Sequence, residues 1–184
     1  MKHSLLVVAF TALALLVPGV AAAASTNESI DKEVKAGLSA LYEKEPGAKA
    51  LGDKAKAILM FPTVKKAGLI VGGQHGEGAL LKKGKTVGYY TTTALSVGFE
   101  AGAQSFGYAL FFMTDEALAK FEKSDGFEIG AEANVVFVDS GAAAGAGTTT
   151  ATAPVYGFVF GQKGLMAGVS LQGTKVSKKE PDAK

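Results

Sequence analysis

The sequence predicts an α+β domain in which N-terminal helices pack on a long-stranded, mostly antiparallel sheet that is bent at glycines and can close into a barrel-like form. Three observations lead to this prediction. Apolar residues recur every three or four positions near the start of the chain, and they alternate at period two after Pro62. Glycine is abundant, with 24 in 184 residues, and it lies between β-branched and aromatic residues, as in strands that bulge or approach closely.

The first residues of the chain have the pattern of a secretory signal peptide. Lys2 supplies a basic start, an apolar run follows from Leu5 to Val17, and small residues precede Ser25. The alternative is a membrane anchor, but the run is shorter than the roughly 20 residues that a spanning helix needs. We therefore expect cleavage after Ala24 and a periplasmic or secreted location. No cysteine follows the run, which excludes a lipoprotein anchor.

The predicted signal segment is residues 1–24. The chain that follows it is long enough for one domain. We place the domain at residues 25–176 and expect a disordered tail at residues 177–184. The chain has no cysteine and no arginine, and its net charge is +2. A disulfide framework and a thiolate metal site are therefore excluded, and nucleic acid is not expected as a partner.

Two helices are expected at the start of the domain. The first is amphipathic, and its apolar face consists of Ile30, Val34, Leu38 and Leu41. Asn27 or Ser29 is expected to cap this helix. Pro46 suits the first turn of a second helix, which is expected to run to about Ala55.

The rest of the domain is predicted to be mainly strand. A buried strand at Ala57–Phe61 is expected to stop at Pro62, because proline cannot donate a hydrogen bond to a neighbouring strand. Long period-two stretches follow, and a short helix capped by Thr114 lies between them. A closing hairpin is expected to turn at Gln162–Gly164.

One stretch fits the spacing of a nucleotide-binding loop. It is "ALLKKGKT", Ala79–Thr86, in which Gly-Lys-Thr follows a small residue and four others. A phosphate-binding loop needs a helix after this motif, because the first amides of the helix hold the phosphates. Here Val87–Thr93 follow, and they are rich in strand formers. We therefore predict a β-hairpin with Lys82–Lys85 as its charged turn, and no ATP site.

His75 is the one histidine that follows the signal segment. With Glu77 as the nearest acid, these two side chains fall short of the three or four ligands that a metal site usually has. A hydrolase centred on His75 would need a serine and an acid that converge on it in the fold. A lone histidine in a glycine-rich strand or turn is more often structural or solvated. We therefore expect a non-enzymatic protein with no metal and no cofactor.

The charge pattern contains one basic region. Its residues are Lys65, Lys66, Lys82, Lys83 and Lys85. If the fold brings these lysines to one side, they would attract anionic lipid head groups, at about 1 kcal/mol per lysine near a membrane surface. The alternative is a solvated hairpin tip with no binding role.

Four blocks of the sequence carry a family resemblance and occur in order over about Ile30–Val176. They are "AKAILMFPTVKKAGLIVGGQHGEGALL", "GYYTTTALSVGFEAGAQSFGYALFFMTDEAL", "SDGFEIG" and "VYGFVFGQKGLMAGVSLQGTKV". These blocks strongly resemble the bacterial branch of the SYLF domain family. The resemblance implies lipid binding, and it relates the chain to eukaryotic members that bind phosphoinositides, some of which also bind actin filaments.

In eukaryotic SYLF members, membrane binding is attributed to basic and apolar residues of an N-terminal amphipathic helix, which corresponds by position to Ile30–Tyr42. In this chain the lysines of that region are balanced by acids. The lysines are Lys32, Lys35 and Lys44, and the acids are Asp31, Glu33, Glu43 and Glu45. Bacterial envelopes also normally lack phosphoinositides. The resemblance therefore implies general lipid or amphiphile binding here, without phosphoinositide specificity or actin binding.

Taken together, the sequence predicts a non-enzymatic envelope protein that binds an anionic phospholipid or another amphiphile at a membrane surface. The basic lysines would hold the head groups. The apolar face of the first helix would either insert shallowly or pack on the sheet. The second hypothesis is an envelope structural or protein-interaction module without lipid binding, which would use sheet edges or the Ser140–Ala153 loop.

Overall fold

The computed structural model describes residues 25–68, 71–97, 102–131, 135–138, 153–164 and 171–179. The predicted signal segment and most of the Ser140–Ala153 loop lie outside these residues. Within the described ranges, three helices and eight strands form an α+β domain with a single, mostly antiparallel sheet. The sheet curls into a half-barrel, so the predicted fold class is confirmed.

The helices and strands alternate in blocks along the chain. The helices are α1 (Asn27–Lys44), α2 (Pro46–Gly52) and α3 (Asp115–Lys123). The strands are β1 (Ala57–Gly68), β2 (Val71–Lys82), β3 (Lys85–Val97), β4 (Gly102–Phe112), β5 (Phe127–Glu128), β6 (Val135–Phe137), β7 (Val155–Gly164) and β8 (Lys175–Lys178). Their order across the sheet is β5-β8-β3-β2-β1-β4-β7-β6, and only the β6–β7 pair is parallel among the described strands.

Thr26 caps α1, whereas the sequence predicted Asn27 or Ser29. The Thr26 backbone is extended, and its side-chain oxygen accepts a hydrogen bond from the Ser29 backbone N–H at 3.3 Å. This is the geometry that an N-cap requires, so the predicted cap is wrong by a small offset. Pro46 begins α2, as predicted, because its fixed φ suits a first helical turn.

β1 continues through Pro62, where the sequence predicted its end. The ladder to β2 shifts register between Met60 and Thr63, and the ladder to β4 shifts between Phe61 and Val64. A β-bulge at these positions accommodates a proline that has no N–H to donate. The bulge also resets the side-chain faces, since Phe61 and Val64 belong to the same apolar cluster although their spacing is odd.

The sheet carries apolar side chains on both faces. One face, called the inner face here, carries a cluster that includes Phe61, Tyr108, Phe112, Phe121 and Phe127. The outer face packs against α1 and α2 through a second cluster, which includes Val34, Leu41, Met60, Phe111 and Phe158. Because both faces of β1 and β4 are covered in this region, these central strands have near-continuous apolar sequences.

Two glycines of β2 let this strand lie close to β1. A Cβ atom at Gly78 would overlap the Met60 carbonyl oxygen, and one at Gly76 would lie 2.8 Å from Cγ2 of Val64. At these two positions β2 has no side chain on its inner face, and atoms of β1 fill the space. This is the close approach of strands that the glycine content predicted.

The β2–β3 hairpin occupies the stretch with nucleotide-loop spacing. Lys83 and Gly84 form its turn with φ angles of 50° and 74°, and Lys82 pairs with Lys85 across it. Positive φ at both central residues is typical of the type I′ turn, whose twist matches that of the flanking strands. The predicted hairpin is confirmed, and a strand follows the motif where a phosphate-binding loop would have a helix.

The predicted turn at Gln162–Gly164 is wrong, and residues 165–170, which would begin the second arm of the predicted closing hairpin, lie outside the described residues. Gln162–Gly164 belong to β7, which pairs with β4 and β6. β8 pairs with β3 and β5 in the other half of the sheet. Ser177 and Lys178 lie in β8 opposite Thr91 and Tyr90, and this pairing extends the folded region past the predicted start of the disordered tail.

Candidate functional site

The predicted lipid-binding face of α1 points toward the sheet. Ile30, Val34 and Leu41 are at most 3% exposed, and Leu38 is half-buried against the same outer cluster. In the structure, this face therefore packs on the sheet, which is the alternative that the amphipathic pattern left open. Insertion into a membrane would require α1 to leave the apolar side chains that it now covers.

Polar contacts fix the first turns of α1 on β2 and β3. The two carboxylate oxygens of Asp31 accept hydrogen bonds from the Thr86 hydroxyl at 2.7 Å and the Tyr89 hydroxyl at 3.1 Å. The Ser25 backbone N–H donates to Oε2 of Glu77 at 3.0 Å. These contacts hold the helix over the half of the outer face that lies toward the β2–β3 turn.

Three of the five predicted lysines lie together at the β2–β3 turn. Lys82 forms a salt bridge with Glu122 of α3 at 2.8 Å, which neutralises its charge locally. Lys83 and Lys85 are exposed. This part of the basic region therefore presents two unburied cations at the tip of a hairpin.

Lys65 and Lys66 lie toward the other end of the sheet. Lys65 is opposite His75 of β2, and the strand from His75 to Lys82 spans roughly 23 Å at about 3.3 Å per residue. Lys66 is opposite Gln74, which is buried on the inner side, so consecutive lysines lie on opposite faces of β1. The five lysines are therefore not brought together into one cluster.

A row of polar residues crosses the part of the outer face that no helix covers in the described structure. The register places its members side by side on seven neighbouring strands, in the order Lys163, Ser105, Lys65, His75, Thr93, Lys175 and Glu128. Strands lie about 4.8 Å apart, so this polar row spans roughly 29 Å. With three lysines and one acid, it carries a positive balance of charge.

An apolar row lies beside the polar row, one side-chain step nearer the ends of the strands. Its members in register are Ala103, Ala67, Gly73 and Leu95. Leu95 is 87% exposed, and Val71, one step further along β2, is 63% exposed. Large apolar side chains with so much surface in water commonly mark an interaction surface when they lie together.

The two rows border a groove of about 690 Å³. Its lining includes Lys65, His75, Leu95, Glu128 and Lys175. Neither Lys65 nor Lys175 forms a salt bridge with any residue that the structure describes. An anionic group could therefore meet two cations here without displacing an acidic partner, while an attached apolar group met Leu95.

Buried polar side chains continue the inner face beyond its apolar cluster. The Tyr108 hydroxyl donates to the Thr92 hydroxyl at 2.7 Å, and Nε2 of Gln74 donates to the Thr174 hydroxyl at 3.0 Å. Burial raises the pKa of Tyr108, while the hydrogen bond with Thr92 acts in the opposite direction. Oε1 of Gln104 is buried and lacks a hydrogen-bond partner in the described structure. The two hydrogen bonds stabilise the inner side of the sheet, and all of these groups lie on the face opposite the polar row.

His75 is exposed in the polar row, between Lys65 and Thr93 in register. Its side chain forms no hydrogen bond with the described part of the chain. Nor do the described residues contain a group of three or more His, Cys, Asp and Glu side chains that could hold a metal ion. The position of His75 is therefore that of a groove-lining residue.

Lys163, Lys175 and Leu95 are among the residues of this surface that the sequence does not single out. A signal exists for Lys175, since it lies next to the apolar Val176, and the alternation of side chains along a strand places neighbouring residues on opposite faces. The alternation does not show that β8 pairs with β3. Only that pairing brings Lys175 into line with His75.

Comparison with known proteins tests the family resemblance. None of the described helices has the length and apolar character needed to cross a membrane. No curated protein matches the chain. A family model named Ysc84, described as Las17-binding protein actin regulator, matches residues 93–183. That range contains five members of the polar row, from Thr93 to Lys175. Ysc84 is the SYLF domain, so this match confirms, over residues 93–183, the SYLF resemblance that the sequence blocks carry.

Proposed function

We propose that this protein is a non-enzymatic binder of anionic lipid at a membrane surface of the cell envelope. The observation that carries the proposal is the polar row beside the apolar row on the uncovered outer face. The match to the SYLF family supports it, because eukaryotic members of this family bind lipid and actin. We extend only lipid binding, and not actin binding, from the family to this protein.

The two rows have the spacing of a shallow membrane contact. Successive side chains on one face of a strand are about 6.6 Å apart, and interfacial apolar groups enter a bilayer by about 5–10 Å. Leu95 and Val71 would therefore reach the boundary between head groups and acyl chains. Lys65 and Lys175 would stay at the level of the lipid phosphates.

The expected affinity is modest. Each lysine near an anionic surface contributes about 1 kcal/mol, and full burial of a Leu or Val side chain contributes about 1.5–3 kcal/mol. Part of this free energy offsets the entropy that the protein loses on binding. We therefore expect reversible binding that weakens as salt screens the lysines.

Co-sedimentation with lipid vesicles tests the proposal. We expect binding to vesicles of phosphatidylcholine with phosphatidylglycerol, little binding to phosphatidylcholine alone, and a loss of binding at high salt. The double variant Lys65→Glu/Lys175→Glu should abolish binding. Its matched control is Lys83→Glu/Lys85→Glu at the β2–β3 turn, which makes the same change of charge and should retain most of the binding.

Other outcomes of this experiment would contradict the proposal. If the control variant loses binding and Lys65→Glu/Lys175→Glu retains it, the lipid-binding lysines are those of the hairpin turn. If the unchanged protein binds no vesicle of either composition, lipid is not its ligand.

We also propose that the protein works outside the cytoplasm, because residues 1–24 have the pattern of a signal peptide. Fractionation of a producing cell by osmotic shock checks this location. Recovery of the protein in the cytoplasmic fraction alone would contradict it.

A second candidate function is a structural or protein-interaction module of the envelope. The supporting observation is the edge strand β6, where Val136 is 47% exposed and Phe137 is 42% exposed. An edge with apolar side chains can pair with the strand of another chain. This hypothesis expects concentration-dependent self-association in sedimentation velocity, lost in Val136→Lys. A protein that stays monomeric at all concentrations and binds no envelope protein would contradict this hypothesis.

A further inference from the structure

Glu77 places a carboxylate directly at the position where the predicted signal segment ends. Its Oε2 accepts a hydrogen bond from the Ser25 backbone nitrogen at 3.0 Å. Oε1 lies 4.0 Å from Nζ of Lys179, which is a long distance for a salt bridge. The side chains of Glu77 and Lys179 are only 14% and 7% exposed.

Such a position is unusual for a carboxylate. Glu77 lies in the middle of β2 on the outer face, opposite Thr63 on one side and Thr91 on the other. Removing an ionised carboxylate from water is costly unless cations and donors compensate for the lost hydration. An amide N–H and one distant ammonium group give incomplete compensation. A further cation next to Oε2 would complete it.

We propose that Ala24–Ser25 is a processing site and that Glu77 binds the ammonium group which processing creates. A signal peptidase would supply the activity, and water is the co-reactant. The C–N bond between the Ala24 carbonyl carbon and the Ser25 nitrogen breaks. Ala24 receives the oxygen of water and leaves as a carboxylate, and the Ser25 nitrogen takes up protons to become –NH₃⁺. The amide nitrogen of Ser25 in the structure holds the place of that ammonium nitrogen.

The new charge would strengthen an existing contact without moving the chain. The 3.0 Å separation already suits an ammonium–carboxylate hydrogen bond, which is stronger than one from a neutral amide. Ser25 directly precedes Thr26, the cap of α1, so the pair would fix the start of the helix on β2. The processed chain is therefore expected to be more stable than a chain whose Ser25 nitrogen is blocked. This inference depends on export and is independent of lipid binding.

The first arm of the test measures the processing site. The full chain, with its own residues 1–24, is produced in a bacterium with a secretory pathway, and the exported protein is analysed by intact mass and N-terminal sequencing. A sequence beginning at Ser25 supports the proposal. A start at any other residue, or an unprocessed chain, overturns it.

The second arm measures the role of Glu77 in the processed protein. Residues 25–184 are prepared with a free Ser25 amine and with the same amine acetylated, each with Glu77 and with Glu77→Gln. Acetylation should lower the folding equilibrium constant roughly threefold to tenfold when Glu77 is present, and hardly at all in Glu77→Gln. Glutamine keeps a hydrogen-bond acceptor, so this variant is expected to fold. Urea unfolding measures all four proteins.

Glu43→Gln is the matched control, because Glu43 is exposed near the far end of α1. This variant should keep the full effect of acetylation. An acetylation effect that is absent from the unchanged protein, or that is equally large in Glu77→Gln, would overturn the assignment of Glu77.

Discussion

Gly78 shows how one missing side chain sets the distance between two strands. We expect Gly78→Ala to destabilise the fold by about 1–3 kcal/mol, because the added Cβ overlaps the Met60 carbonyl oxygen and the backbone of β1 has to move. Urea unfolding at equilibrium measures the change.

The control for Gly78→Ala lies on the same strand. At Gly73 the nearest atom to an added Cβ is the Ala94 carbonyl oxygen at 4.0 Å, an ordinary contact distance. Gly73→Ala should therefore leave the free energy of unfolding nearly unchanged or slightly raise it. Equal effects of the two substitutions would show that strand spacing is not the cause.

Tyr108 gives the fold a pH dependence on the alkaline side. Its pKa is raised by burial from the ordinary value of 10.0. The folded state therefore keeps the phenolic proton at a pH where the unfolded chain loses it, so this stability is present below about pH 10 and is lost as pH rises further. We expect urea midpoints to fall less steeply above about pH 10 in Tyr108→Phe than in the unchanged protein.

The pH effect of Tyr108→Phe can be separated from its loss of a hydrogen bond. Losing the bond to Thr92 lowers stability by an amount that does not depend on pH, so it shifts the whole profile. The pKa values of Tyr42 and Tyr90 are also raised by burial, and these residues keep part of the alkaline slope in both proteins. Parallel profiles for the two proteins would contradict the role of Tyr108.

At the scale of single residues, local chemistry predicted part of the structure. The turn at Lys83 and Gly84 follows from a glycine between two strand-forming segments, and Thr114 caps α3 as expected. The predicted end of β1 at Pro62 was wrong, because a proline that ends a strand and a proline that occupies a bulge have the same local sequence. The difference lies in the ladders on both sides, which involve residues far away in the chain.

At the scale of elements, the decisive question is whether α1 stays on the sheet when the protein meets a membrane. A covalent link tests it. A Cβ at Gly37 would lie 3.2 Å from Cβ of Pro62, slightly less than the separation of about 3.5–4.5 Å found in disulfides. It would also lie 2.8 Å from Cε at the flexible end of the Met60 side chain, which has to shift. We expect the oxidised double variant Gly37→Cys/Pro62→Cys to bind anionic vesicles as well as its reduced form does.

The chain has no cysteine of its own, so the two introduced cysteines can form a disulfide within the chain only with each other. The reduced protein serves as the control for the two substitutions themselves. If oxidation abolishes vesicle binding and reduction restores it, α1 has to leave the sheet, and its apolar face is the membrane contact after all.

Elements with local signals were predicted well, and elements with distant partners were not. The period of α1 and the alternation of β2 and β3 can be seen within short stretches of sequence. The position of β8 cannot, because its four residues pair with residues of β3 that lie 82 to 88 positions earlier in the chain. The sequence did not predict that β8 lies beside β3, and the sheet order alone shows that position.

At the scale of the whole molecule, the proposal fixes an orientation on the membrane. An environment-sensitive fluorophore on Leu95→Cys should shift to the blue when anionic vesicles are added, because this position enters the head-group boundary. The same fluorophore on Val87→Cys should not shift. Val87 is 53% exposed and lies on the same strand, toward the hairpin turn. Equal shifts at both positions would contradict the proposed orientation.

The candidate site could be predicted from the sequence only in its chemistry. Lysines and the apolar face of α1 were the expected components; Lys65 is common to the predicted and the observed surface, whereas the α1 face is buried. The grouping was wrong because Lys65 and Lys82 are close in sequence but lie toward opposite ends of an antiparallel pair. Lys163 and Lys175 join Lys65 through strand pairings that no local pattern specifies.

The bulge at Pro62 also decides which of two adjacent lysines meets the solvent. Without the extra residue, the alternation of β1 would reverse beyond that point, and Lys66 would take the place of Lys65 on the outer face. Because positions 65 and 66 are both lysines, an ammonium group lies at this place on the outer face in either register of β1. The surface therefore keeps a lysine in either register of β1, a strand whose pairing is irregular on both sides. An insertion or deletion near Pro62 would alter the core before it removed this charge.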